Sequence, residues 1–212
     1  MDSSPEIETT DQPDRKTLML LAVVIEGGLV VVALFAGWWL SINPFEQMVW
    51  NPKVGLYGLL ATFPLLASFA ISYKVPFEPL QRIKHLLIEM FGPWLRTCRW
   101  YDIIILAALA GFCEEFFFRG VLQPWLSRWG GYWTGFVLTA VIFGICHMVT
   151  PIYAILAALA SAYLSWLAIL EPTPSLITPM IAHGLYDWAA FTVIVRAVRD
   201  SPEPTPDEQT VG

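Results

Sequence analysis

Gly111–Leu126 reads GFCEEFFFRGVLQPWL, and its reading decides the class of protein. Two adjacent carboxylates, Glu114 and Glu115, and the guanidinium of Arg119 interrupt an apolar run that begins near Ile103. Ionisable groups at membrane depth cost about 2.5–3.5 kcal/mol each on insertion scales, so they need partners and by default mark a functional site. The partners on offer in other apolar segments are His147 and the pair His183 and Asp187.

The chain around this stretch has 212 residues, 56% of them hydrophobic and 14% charged, with a mean hydropathy of +0.58. Soluble domains carry about 25% charged residues. The expectation is therefore an integral membrane protein, built as one all-α, polytopic transmembrane helical bundle. A span needs about 20 apolar residues; by that measure there are about six, Leu18–Ile42, Val54–Tyr73, Trp100–Leu126, Trp133–Val149, Pro151–Leu170 and Leu176–Val195. Pro64 should kink the second. Between the second and third spans, apolar residues from Ile83 to Leu95 recur every three or four positions with Arg82, Lys84, His85 and Glu89 between them. That pattern gives one interfacial amphipathic helix, with His85 a surface residue.

The connections follow from breakers and polar runs. Asn43–Lys53, Ser127–Tyr132 and Glu171–Ser175 read as loops or turns, and the acidic segments 1–17 and 196–212 as disordered tails. Residues 18–99 form an accessory region and 100–195 the core that holds the polar groups. Glu26, in the first span, is expected at the interface or bonded to a neighbouring helix. Cys98, Cys113 and Cys146 show no paired spacing, so no disulfide or thiolate metal site is implied and each reads as a small hydrophobe.

Charge adds two exclusions and an orientation. The net charge is −6 with no basic tract, which leaves nucleic acid out as a partner. Nine Lys and Arg residues, from Arg15 and Lys16 to Arg196 and Arg199, fall on one side of a six-span bundle, against Lys53 and Arg128 on the other. That asymmetry puts both termini in the cytoplasm, most simply at the plasma membrane.

The spacing of the polar residues suggests chemistry. Glu115 and Arg119 are i and i+4 on a helix and share a face, as do His183 and Asp187. Glu114 points about 100° away from Glu115, so one carboxylate is held by the guanidinium while the other is free to face a cavity. Water activated by a Glu with two His and an Asp nearby is a hydrolase arrangement, by direct base catalysis or through a bound metal. A proton- or ion-coupled transporter would use the same groups as a relay, but no internal repeat is present. A non-catalytic scaffold is the third reading.

Three motifs carry a resemblance. Glu114–Arg119 reads E-E-x-x-x-R, Phe143–His147 reads F-x-x-x-H, and His183–Asp187 reads H-x-x-x-[N/D]. In order and spacing these resemble the CPBP family of intramembrane proteases, the CAAX-protease and bacteriocin-processing (Abi) group that includes the CAAX prenyl endopeptidases, over roughly Tyr101–Val195. The resemblance implies an endopeptidase acting on a membrane-embedded or lipidated peptide or protein substrate within the lipid bilayer. It implies Glu114 as the base that activates water, His147 helping to bind that water, and His183 with Asp187 stabilising the oxyanion or holding a metal. Glu115 and Arg119 would order the site. Asp187 departs from the Asn alternative, since an ionised carboxylate only accepts hydrogen bonds and would repel an oxyanion. Its expected role is to orient His183. Either no cofactor is required, or a divalent metal such as zinc would be held by Glu114, His147, His183 and Asp187; the H-E-x-x-H signature of zinc enzymes is absent.

Overall fold

In the computed structural model, residues 14–170 and 174–200 are described. The regular elements there are all helical: α1 (Arg15–Leu40), a 3₁₀ turn (Pro44–Gln47), α2 (Pro52–Lys74), α3 (Glu78–Arg96), α4 (Trp100–Phe117), a π-turn (Phe118–Leu122), α5 (Gln123–Gly130), α6 (Tyr132–Cys146), α7 (Pro151–Leu167) and α8 (Ile177–Asp200). Helix starts follow local chemistry. Asn51 accepts from the backbone N–H groups of Lys53 and Val54, and Thr150 from that of Tyr153, each just ahead of a proline in the first turn. Proline suits that position because its missing N–H would have no helical partner there. For the same reason Asn43–Lys53 is not a plain loop: Pro44 and Pro52 begin helical segments instead of breaking them.

Other boundaries also differ from expectation. Ser127 and Arg128 stay helical, and the expected six-residue turn shrinks to Gly131, which takes φ +82°. Helix α1 begins at Arg15 and α8 runs to Asp200, each reaching into a segment expected to be disordered. The remainder of those tails, and Glu171–Thr173 of the expected turn, lie outside the described residues.

The expected count of six spans is not confirmed. By length and composition α1 and α2 are the two helices suited to crossing a membrane. Helices α6 and α7 have 15 and 17 residues; at about 1.5 Å per residue they reach only ~22 and ~26 Å, short of a ~30 Å hydrocarbon core. They form a hairpin that stops part-way through the molecule, with His147 at its tip. Helix α4, the π-turn and α5 form one continuous rod of about 46 Å at the same rise.

Two registers fix the arrangement. Helix α1 runs parallel to the α4–α5 rod: at one end Arg15 forms a two-pronged pair with the buried Asp102 at 2.6 Å, and at the other Arg128 donates to the Leu40 carbonyl, also at 2.6 Å. Between those ends Ala33 packs with Phe116, Val121, Leu176 and Met180. Helix α8 runs antiparallel to α4. They touch at Gly111 and Gly184, where a Cβ added to Gly111 would lie 2.6 Å from the Gly184 nitrogen. Helix α2 covers the other side of α8, with Gly58 against Ile181. The amphipathic α3 packs Gly92 against Val198 and keeps His85 exposed.

Candidate active site

The six residues singled out in the sequence converge on one cluster built from α4, the π-turn, the α6 tip and α8. Its foundation is Arg119, which is 2% exposed. Its Nη1 donates to Glu115 Oε1 at 2.9 Å, Nη2 to the carbonyl and hydroxyl oxygens of Ser161 at 2.7 Å, and Nε to Ser165 Oγ at 3.3 Å. A buried ion pair is tolerable when its remaining donors are satisfied, and the two serines of α7 do that here. The i→i+5 step at Phe118–Leu122 includes Arg119; π-turns of this kind recur at functional sites.

Glu115, fully buried, also accepts from His183 Nδ1 through the same Oε1 at 2.9 Å. The closeness of Gly111 to Gly184 brings α4 and α8 near enough for that bond. Because Nδ1–H is given to a carboxylate, the Nε2 of His183 is a bare lone pair in the neutral ring and a donor only in the imidazolium. That Nε2 lies 3.4 Å from Asp187 Oδ2 and 3.9 Å from Glu114 Oε2.

His147 caps α6 instead of lying within it. Its Nδ1–H donates back to the Phe143 carbonyl at 2.9 Å, which leaves Nε2 facing Glu114 Oε1 at 3.7 Å. Phe143, between two functional groups, explains the aromatic in its motif: its ring stacks on His147 at 4.2 Å and 16°, and Arg119 lies 5.1 Å from its centre. Glu114 is thus flanked by two imidazole nitrogens at 3.7 and 3.9 Å, beyond direct hydrogen-bond length. Its Oε2 is buried with no hydrogen-bond partner. The cluster has an open side, since the His147 side chain is 31% exposed against 14% for Glu114.

Two imidazoles and two carboxylates are chemically a zinc donor set. Clustered though they are, among the described residues no group of three or more His, Cys, Asp or Glu side chains is arranged to hold a metal ion, so no catalytic step is routed through one.

Sequence reading missed Ser161 and Ser165. Both were legible only as small residues in an apolar helix, although their i, i+4 spacing puts two hydroxyls on one stripe. Tyr153, at the start of α7, lies within electrostatic reach of Glu114 and Asp187 and was also missed. Glu26 Oε2, expected at the interface or bonded to a neighbouring helix, is buried without a hydrogen-bond partner.

No curated protein and no solved structure matches the chain. Residues 96–189 match the family model described as type II CAAX prenyl endopeptidase Rce1-like, a segment that contains all six clustered residues. Together with its apolar helices, this match supports an integral membrane protein, and residues 96–189, which hold the three motifs, are similar to that family.

Proposed function

We propose that the protein is an intramembrane endopeptidase that hydrolyses a peptide bond of a membrane-associated, CAAX-type substrate with water activated by Glu114. The observation that carries this reading is the convergence of the two imidazole Nε2 atoms on Glu114, at 3.7 and 3.9 Å, which lets one water on the open side of the cluster reach all three groups. In this reading His147, whose Nε2 lone pair is free, holds the water by accepting a hydrogen bond from one of its O–H groups, which stays on the oxygen. Glu114 takes the other proton as the oxygen attacks the scissile carbonyl carbon. His183, doubly protonated between Glu115 and Asp187, donates Nε2–H to the developing oxyanion. Collapse of the tetrahedral intermediate breaks the C–N bond, and Glu114 returns its proton to the leaving amine. Asp187 then serves as counter-charge to the imidazolium in the resting site. Arg119 holds Glu115 and so fixes the His183 ring. The protein is proposed to lie in the plasma membrane with both termini cytoplasmic.

The test is cleavage by reconstituted protein of a farnesylated peptide ending in a C-a-a-X sequence, alongside unprenylated membrane peptides, read by mass spectrometry. Glu114→Gln should lower turnover by about 10²–10⁴-fold, the usual worth of a positioned base, with the thermal unfolding midpoint unchanged. A zinc chelator should leave wild-type cleavage unchanged. Wild-type turnover in Glu114→Gln rules out the base assignment. Loss with chelator that zinc restores would instead assign the imidazoles to a metal.

A further inference from the structure

Helix α1 lies outside the family-matched segment, yet it delivers a carboxylate to the site. The parallel register is set by two bonds, Arg15 to Asp102 and Arg128 to Leu40. Their offsets of 87 and 88 residues place Glu26 level with Cys113 and Glu114. Leu18, Ala22, Glu26, Val30, Ala33 and Gly37 recur at helical spacing and are all part-buried or buried, which puts Glu26 on the stripe with Ala33 that faces α4, while Val24 and Ile25 beside it are 60% and 65% exposed. Its carboxylate is within electrostatic reach of Glu114, His183, Asp187 and His147, and of Cys113 on α4. Glu26 Oε2 is nonetheless buried and makes no hydrogen bond. The two residues that follow, Gly27 and Gly28, have nothing within 4 Å of an added Cβ. Packing does not require either glycine, and a helix-interior glycine costs about 0.5–1 kcal/mol relative to alanine.

We propose that Glu26 is a substrate-binding residue: its free carboxylate oxygen accepts an N–H donor of the peptide backbone, which lies beside α1 in the space left open at Gly27. The chemistry is complementary. A buried carboxylate without a donor carries a desolvation penalty, and a peptide entering an apolar cleft brings backbone N–H groups that have lost water. Each satisfies the other one helix away from the water-activating carboxylate. The inference rests on the peptidase reading for what enters the cleft, and not on the role of any one residue in the hydrolysis.

The experiment uses the full-length protein in proteoliposomes with the farnesylated C-a-a-X peptide as probe. Glu26→Ala should raise KM about tenfold or more with kcat within threefold, and Glu26→Gln, which keeps an acceptor oxygen, should raise it less. A fall in kcat at unchanged KM would make Glu26 a proton-transfer group and overturn the proposal, as would wild-type kinetics in both variants. A second arm works without turnover and without altering Glu26. A photo-crosslinking side chain at position 27, in the Glu114→Gln background, should capture the peptide, whereas one at position 25 should capture lipid. Lipid alone at both positions overturns the inference while leaving the peptidase reading to its own test. Peptide captured at 27 by a protein that never cleaves it supports the inference and removes the peptidase reading.

Discussion

His183 faces three carboxylates, and the distances rank them. Glu115 takes Nδ1–H at 2.9 Å, while Asp187 and Glu114 lie 3.4 and 3.9 Å from Nε2. The shorter contact favours Glu115 over Asp187, the residue first expected to orient His183, as the group that fixes its tautomer and ring. Asp187→Asn should accordingly keep cleavage within about tenfold of wild type, whereas Glu115→Gln should lose about 10–100-fold, the usual range for a group that orients a catalytic imidazole. Single-turnover rates of both variants check this ranking; the reverse order would return the orienting role to Asp187. The Glu115–Arg119 pair was legible in the sequence because a helix alone brings i and i+4 together. The Glu115–His183 bond was not, because it depends on the depth at which α8 slides past α4. Ser161 and Ser165 were hidden for a related reason: a hydroxyl in an apolar helix says nothing about which guanidinium it will meet.

At the scale of elements, the site stands on two contacts that tolerate no adjustment. The first is the glycine crossing of α4 and α8. In Gly111→Ala the new Cβ would sit 2.6 Å from the Gly184 nitrogen and 3.0 Å from the Met180 carbonyl oxygen. Both are backbone atoms, so the helices themselves must part. Overpacking of this kind costs about 1–3 kcal/mol, and here it also stretches the Glu115–His183 bond. Gly28→Ala meets nothing within 4 Å and should be neutral or stabilising by up to about 1 kcal/mol. Thermal unfolding in detergent separates the pair; equal midpoints would show that the crossing is not tight. The second contact is Arg119, which ties the π-turn to α7. Arg119→Ala leaves the fully buried Glu115 uncompensated and should destabilise by about 3–5 kcal/mol. Arg119→Lys should fail to restore it, because one ammonium cannot reproduce a fork shared among Glu115, Ser161 and Ser165. Full-length protein of wild-type stability in either variant would show that the fork is dispensable. Element existence was readable from apolar periodicity, with ends that slipped where Pro44 and Pro52 start turns and where Ser127 keeps the helix going. Hairpin depth was not readable. Trp133–Val149 and Pro151–Leu170 are apolar enough to look like spans, and only their contacts show that α6 ends level with Glu114.

That depth gives the whole molecule a direction. Helix α6 leaves Gly131 and runs back along the rod, with Gly135 against Ser127 and Phe143 against Phe118, before stopping at His147 beside Glu114. Beyond the tip, Ile104 and Ile105 in the first turns of α4 stay exposed. The open side of the site, marked by the half-exposed His147 and the exposed Met148, thus faces the end of the molecule where Arg15 meets Asp102 and Arg199 donates to the Cys98 carbonyl at 2.6 Å. This is also the end to which most of the Lys and Arg residues belong, and positive charge favours the cytoplasmic side. If that end is cytoplasmic, a peptide should reach Glu114 from the cytoplasm and not from the opposite end, which the α6–α7 hairpin occupies. In sealed vesicles of known orientation, a membrane-impermeant peptide substrate added outside should be cleaved by everted vesicles and spared by right-side-out ones. Cleavage confined to right-side-out vesicles would invert the assignment, and equal cleavage by both would mean that the hairpin does not close the second entrance. Glu114→Gln, which on the proposed mechanism removes the chemistry and leaves the hairpin in place, is the control that shows each signal to be this protein's own.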